Sequence, residues 1–277
     1  MKHTEKHLGQ ILLANYHTHT TRCFHAGGTD REYIEAAIQY GYHTLGFAEH
    51  APYIFTNGHE TCARMPVVYT EDYATSLAAL KEEYKNDIRI LIGYEMEYYP
   101  EFFDVTLRNM LKYPIDFLIM GQHHIDNEYT GKRSANPTTD ESLLAMYVDE
   151  VIAGMRTDLY SYIAHPNIFK FVGDMQVYED HMRRLCEEAK RLEIPLEANL
   201  GYIYEDGATE DPQSEHLFRV AAEVGNKIVY GCDAHEPEGL NAMERYERVS
   251  PLINRYGLQV ISEFRIRDPH RYLQKTQ

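Results

Sequence analysis

Seven short apolar runs recur along this chain, and each of them leads into residues able to hold a metal ion. The runs cover residues 11–16, 44–48, 88–94, 116–120, 160–164, 195–198 and 227–231. They are continuous, rich in Ile, Val, Leu and Tyr, and lack helical period, which is the pattern of strands buried on both faces. Amphipathic stretches separate them. The clearest is 139–155, where Leu143, Tyr147, Val151 and Met155 form one stripe with Leu144, Val148 and Ile152 beside it. Residues 70–84 open with Thr70-Glu71-Asp72, which reads as capping chemistry, and 178–192, 212–224 and 241–256 complete the set. Strand alternating with helix predicts an α/β fold built on a parallel sheet. The 277 residues contain no internal repeat and no linker rich in Pro, Gly or Ser, so one domain over 1–277 is expected. The longest irregular stretch, 57–68, is expected to form a lid or substrate loop.

The first run ends in His17-Thr18-His19, with His25 following, and the second in Glu49-His50. The third ends in Glu95-Met96-Glu97, the fourth in Gly121-Gln122-His123-His124 and the fifth in Ala164-His165-Pro166. The sixth carries Glu197-Ala198-Asn199, and the seventh ends in Asp233-Ala234-His235. A barrel of βα units places its active site at the C-terminal ends of its strands. Residues i and i+2 on a strand point to the same side, so His17 with His19, Glu95 with Glu97 and Asp233 with His235 can each act as a pair. Imidazole and carboxylate suit zinc, iron and manganese, and a shared carboxylate bridges two ions. One such pair says little, because strand histidines are often just exposed or hydrogen-bonded. Seven consecutive strand ends of this kind point to a multinuclear metal site. For His3, His7, His43, His59, His181, His216 and His270 the ordinary solvated or packed role is preferred, and His124 is expected to face away if His123 faces the barrel.

Four cysteines lie far apart without a CxxC pair, which fits a reducing cytoplasm. Cys23 and Cys232 adjoin candidate ligands and are weak thiolate candidates. A formal net charge of −16 is unsuited to a phosphate backbone and argues against nucleic acid as a partner. It suits a small substrate carrying an amine or imidazole, though an acidic balance also simply serves solubility. No run of about 18 apolar residues offers a membrane span. The charged first ten residues are followed by too short an apolar segment for a signal peptide. A cytoplasmic protein with a small-molecule partner is expected. The 23 tyrosines serve a tryptophan-free core as readily as an interface between copies, so a homo-oligomer is not derivable.

The stretch His17-Thr18-His19-Thr20-Thr21-Arg22-Cys23-Phe24-His25-Ala26-Gly27-Gly28 resembles the opening motif of the PHP (polymerase and histidinol phosphatase) family. Glu49-His50-Ala51-Pro52, Gly93 to Glu97, Gly121 to His123, Ala164-His165-Pro166, Glu197-Ala198-Asn199 and Gly231 to His235 follow its later motifs in order. The resemblance runs from about Tyr16 to His235, and its first two motifs are similar to the monofunctional histidinol-phosphatase branch. It implies a distorted (β/α)7 TIM-like barrel with two to three divalent ions (zinc, iron or manganese) and no organic cofactor. By that resemblance His17, His19, Glu95 and Asp233 would hold one ion, and Glu95 would bridge to another held by His123 and His165. His25, His50 and His235 would hold a third.

The expected reaction is hydrolysis of a phosphate monoester, foremost L-histidinol phosphate to L-histidinol and phosphate, by a metal-bridging hydroxide. Asp233 or His235 could protonate the leaving alkoxide, although both are also expected ligands. Phosphate sites usually recruit a cation, and Arg22, Arg64 and Lys170 are the candidates. Lys170 departs from the arginine expected after the fifth strand, and offers a point charge in place of a bidentate fork. Glu97 and Asn199 are candidates for the amine and imidazole, with Glu97 slightly better placed to orient a ligating histidine. Another phosphate ester, such as a nucleotide or sugar phosphate, is the main rival substrate. A binuclear amidohydrolase is disfavoured because no lysine ends a strand, and a metabolite sensor because no ligand is missing.

Overall fold

The computed structural model describes residues 6–201 and 212–275. His3 lies outside them. Along the chain run α1 (Gly9–Leu12), β1 (Ala14–Asn15), α2 (Asp30–Tyr40), β2 (Thr44–His50), α3 (Thr70–Glu83), β3 (Arg89–Glu95) and α4 (Pro100–Met110). Then come β4 (Phe117–Met120), the short β5 (His124–Ile125) and β6 (Lys132–Arg133), α5 (Glu141–Met155), β7 (Tyr160–Ile163) and α6 (Met175–Arg191). The rest are β8 (Leu196–Asn199), α7 (Pro212–Val224), β9 (Lys227–Gly231), α8 (Met243–Arg255), β10 (Gln259–Val260) and α9 (Arg271–Lys275).

All seven expected strands are present in one parallel sheet of order β1-β2-β3-β4-β7-β8-β9-β10, curled into an open barrel of the TIM-like kind with helices outside. Alternate strand residues, among them Tyr16, Leu91, Phe117, Ile119, Tyr162 and Val229, form one apolar cluster. The opposite strand faces pack with the helices in a second, larger one. Burial on both faces explains why these strands read as unbroken apolar runs. Among the described residues the first and last parts of the sheet meet at the site end. There Thr18 pairs with Ala234, the His19 amide donates to Ala234 O at 2.9 Å, and the Ala234 amide donates to His17 O at 3.2 Å. At the other end β10 lies along β9, and the Tyr16 hydroxyl donates to Ser262 O at 3.0 Å.

Four local features differ from the sequence reading. The expected strand over 11–16 begins as the single turn α1, and Leu13 at φ 61° redirects the chain into a strand of only two residues. The eighth strand, β10, escaped notice because Gln259 and Val260 are exposed and form no apolar run. Thr70 does not cap α3: a 3-10 turn over Val67–Tyr69 leads straight into the helix, and the Thr70 hydroxyl donates back to Val67 O at 2.7 Å. Helices α2 and α4 were not foreseen, although α2 opens with a reciprocal Thr29–Glu32 capping box and α4 with Pro100 in its first turn. No helix among the described residues is long and apolar enough to cross a membrane.

Candidate metal centre

The register of the sheet brings the strand ends together. Glu95 ends β3 directly beside His50 of β2, and its carboxylate lies at the middle of the cluster. Its Oε1 is 2.6 Å from His165 Nε2 and 3.4 Å from His123 Nε2. Its Oε2 is 3.0 Å from His50 Nδ1, 3.6 Å from His19 Nε2 and 3.7 Å from His17 Nε2. Asp233 Oδ1 reaches His19 Nε2 at 3.1 Å, His17 Nε2 at 3.4 Å and His235 Nδ1 at 3.6 Å. His235 stacks on His19 with ring centroids 4.2 Å apart, and the His25 ring lies 5.0 Å from His235 and 5.2 Å from His50. All nine expected ligands therefore meet in one place.

Whether they suit metal ions is answered by the atoms without partners. His17 Nε2, His19 Nε2, Glu95 Oε2 and Asp233 Oδ1 are buried and accept or donate no hydrogen bond within the protein. Leaving such atoms bare costs about 1–3 kcal/mol each, and four of them aimed at one space fit the donor set of a divalent cation. Potential donor atoms of His17, His19 and Glu95 lie within 4.8 Å of one another, as do those of His17, His165 and Asp233 and those of His19, His50 and His235. Electrostatics divide the rings. Burial opposes charge on Glu95 and Asp233, yet the surrounding histidines hold both carboxyls well below the usual range. Burial and His19 push the His50 ring down to about 3 and the His235 ring down to about 4. Burial opposes charge on His17, His19 and His123 as well, but the carboxylates around them raise all three, His19 to about 9. The ionised carboxylates therefore face both neutral and protonated rings, and a bound cation would take the place of those protons.

Three further carboxylates set the ring orientations. His17 Nδ1 faces Glu197 Oε1 at 2.9 Å, His123 Nδ1 faces Glu97 Oε1 at 2.8 Å, and His19 Nδ1 faces Glu49 Oε1 at 3.4 Å. Each contact turns Nε2 toward the cluster and favours the tautomer with a free Nε2 lone pair. Sequence reasoning assigned this role to Glu97 alone and missed Glu49 and Glu197. The only available signal was their place at the strand ends. Close packing holds the supports: a Cβ on Gly231 would fall 1.8 Å from Glu197 Oε1, and one on Gly121 1.9 Å from Glu95 Oε1. His165 at φ 27° and Asp233 at φ 49° are non-glycine residues in left-handed backbone, a strain found where structure is held for function.

The remaining candidates fall differently. Asn199 is buried, not at the mouth; its amide donates to Glu197 Oε2 at 2.8 Å and to Asp233 Oδ2 at 3.3 Å, tying the two carboxylates together. Arg22 turns outward, its guanidinium held by Asp30 and Asp72, both at 2.9 Å, and by Ser76. Arg64 is buried against Glu97 and Glu128. Lys170 lies in the backbone pairing with Ser134 and Thr138 and does not line the cavity. Cys23 and Cys232 are buried thiols, both pushed up to about 12 chiefly by burial, which keeps them protonated. His124 lines the cavity, although it was expected to face away from the barrel if His123 faces it, and His59 lines it from the 57–68 loop, its ring packed near Phe55 and Tyr129.

Above the cluster opens a cavity of about 1050 Å³. Its wall includes Glu60, Glu128 and Glu236 together with Arg133 and Arg245, the last two absent from the sequence-based candidates. Fold and site together define a β/α barrel with a histidine–carboxylate cluster fit to hold divalent metal at the C-terminal ends of its strands. The PHP domain model matches residues 15–200, and the chain belongs to that family. A probable histidinol-phosphatase of Deinococcus radiodurans is 25% identical over 236 residues, covering 81% of this chain and 87% of that protein. The histidinol-phosphatase of Lactococcus lactis subsp. lactis is 23% identical over 239 residues, covering 80% and 83%. The crystal structure of histidinol phosphate phosphatase from L. lactis subsp. lactis, complexed with zinc, L-histidinol and phosphate, aligns with a TM-score of 0.69 at 19% identity. That alignment covers 91% of this chain and 98% of the other, so the two share a fold.

Proposed function

We propose that this chain, acting as one unit over 1–277, hydrolyses L-histidinol phosphate to L-histidinol and phosphate in cytoplasmic histidine biosynthesis. The observation that carries the reading is the complete ligand set: His17, His19, His25, His50, Glu95, His123, His165, Asp233 and His235 converge, and buried atoms of His17, His19, Glu95 and Asp233 among them have no hydrogen-bond partner. The family and the named relatives supply the substrate.

These nine residues would hold two to three divalent ions of the zinc, iron or manganese kind, which would supply Lewis acidity and lower the pKa of water. The protein does the rest. Glu49, Glu97 and Glu197 hold three of the imidazoles in position, and Asn199 fixes Asp233. His235, partly exposed at the cavity edge, and Asp233 beside it stand nearest to where the leaving alkoxide would take its proton, and for both the ligand role is the preferred one. Arg133 and Arg245 on the cavity wall can receive the phosphate charge, which Arg22, locked to Asp30 and Asp72, cannot. Glu60 and Glu236 present acidic groups to the amine and imidazole of the substrate.

Phosphate release from L-histidinol phosphate by metal-analysed protein, beside nucleotide and sugar phosphates, tests the proposal. A preference for histidinol phosphate that Asp233→Asn abolishes without unfolding supports it. Turnover of other esters only would move the substrate, and no turnover of any ester by metal-loaded protein would overturn it.

A further inference from the structure

We infer that Arg64 is a positioning residue that couples the 57–68 loop to the metal site by holding Glu97 against His123. This rests on the metal-centre reading above. The loop has no helix or strand before its last two residues, yet it sends an arginine into the barrel mouth that is only 4% exposed. Burying a guanidinium is costly unless every donor is matched. Here four of the five N–H donors make hydrogen bonds and the fifth lies on a nitrogen beside a carboxylate. Nη1 donates to Ala51 O and Glu97 Oε2, both at 3.1 Å; Nη2 donates to Glu97 Oε1 at 3.0 Å and lies 2.5 Å from Glu128 Oε2; Nε donates to Glu128 Oε2 at 2.7 Å. The plane of the group also sits over the Tyr53 ring, 5.2 Å from its centroid.

One side chain thus joins four segments: its own loop, the end of β2 at Ala51, the end of β3 at Glu97, and the β5–β6 connection at Glu128. Thr61, three residues earlier in the same loop, also donates to Glu128. The consequence lies at Glu97 Oε1, which receives both Arg64 Nη2 and His123 Nδ1. Withdrawing Arg64 leaves two buried carboxylates without their counter-ion, and Glu97 loses the partner that fixes its rotamer. The His123 ring then loses the contact that aims Nε2 at Glu95 Oε1, 3.4 Å away. Loop position and ligand geometry are therefore one equilibrium, and coupling of this kind is reciprocal: metal that favours the aimed His123 also favours the docked loop.

The test uses wild type, Arg64→Ala and Arg64→Lys, each titrated with Mn2+ against a chelator of known affinity. For Arg64→Ala the expected result is a loss of roughly 10–100-fold in affinity for one metal equivalent, the usual effect of removing a residue that orients a ligand. Arg64→Lys, with charge but no fork, should fall between. In wild type, saturating Mn2+ should also slow protease cleavage within 57–68, and Arg64→Ala should abolish that protection. Mn2+ affinity within two-fold of wild type, or cleavage equally fast with and without Mn2+, overturns the inference even if Arg64→Ala is less stable. Should Arg64→Ala fail to fold, the wild-type cleavage comparison decides alone. Wild type that binds no Mn2+ or Zn2+ at all would overturn the metal-centre reading itself.

Discussion

Replacing Glu197 by Gln changes one atom and almost no volume, yet the structure leaves the amide no acceptable orientation. Glu197 Oε1 faces His17 Nδ1 at 2.9 Å, while Oε2 accepts from the His165 amide at 2.8 Å and from Asn199 Nδ2 at 2.8 Å. If the new NH2 takes the Oε2 position, it confronts two donors. If it takes the Oε1 position, His17 Nδ1 must become the acceptor, which moves the ring proton to Nε2 and blocks the atom that faces the cluster. The site is fully buried, so no water relieves either mismatch. The first arrangement costs stability, about 1–3 kcal/mol for an unsatisfied buried group. The second costs metal affinity, roughly 10–100-fold, equivalent to about 1.4–2.8 kcal/mol. The assay is paired: thermal unfolding of metal-stripped protein, and Zn2+ affinity by chelator competition. Either the unfolding temperature or the affinity must fall. If both match wild type, the argument that Glu197 sets the His17 tautomer is refuted.

Three other outcomes follow from the geometry. Gly231→Ala would drive its Cβ to 1.8 Å from Glu197 Oε1, so a destabilisation of about 1–3 kcal/mol is expected by thermal unfolding, with weakened Zn2+ binding. Chelation should abolish phosphatase activity, with recovery on adding Zn2+ or Mn2+. It should also lower the unfolding temperature, because ligand at 100 times its Kd contributes about 2.7 kcal/mol. An unchanged temperature would count against metal bound in the folded state. On the outer surface, Glu188 accepts from Arg191 at 2.7 Å and Arg156 at 2.6 Å, and the Arg191 hydrogen bonds hold its carboxyl down at about 2 against burial. A lowered folded value adds stability above the unfolded value near 4.5 and loses it as pH falls toward 2. The arginines are exposed, so the gain is held to about 1 kcal/mol. Glu188→Gln should therefore be less stable than wild type at pH 7, with the gap shrinking by pH 3 in metal-stripped protein; a constant gap refutes the linkage.

What the chain determines by itself is local. A strand buried on both faces must be a continuous apolar run, and period-two geometry puts His17 with His19 and Asp233 with His235 on one side. The strands, their order of appearance and the nine converging residues were legible for that reason, as was the family motif around His17 to Gly28. Three dimensions decided the partners. His17 meets Glu197 across 180 residues of sequence, and Arg22, flanked by ligands in the motif, is captured by Asp72 50 residues away. Asn199 looked like a substrate group and instead ties two carboxylates together. The closure between Thr18 and Ala234 likewise joins distant parts of the chain, whereas the exposed β10 beside β9 simply carried no apolar signal. Periodicity reports which face of an element is buried. Which charge or hydrogen bond meets it there depends on neighbours that only the folded chain brings within 3 Å.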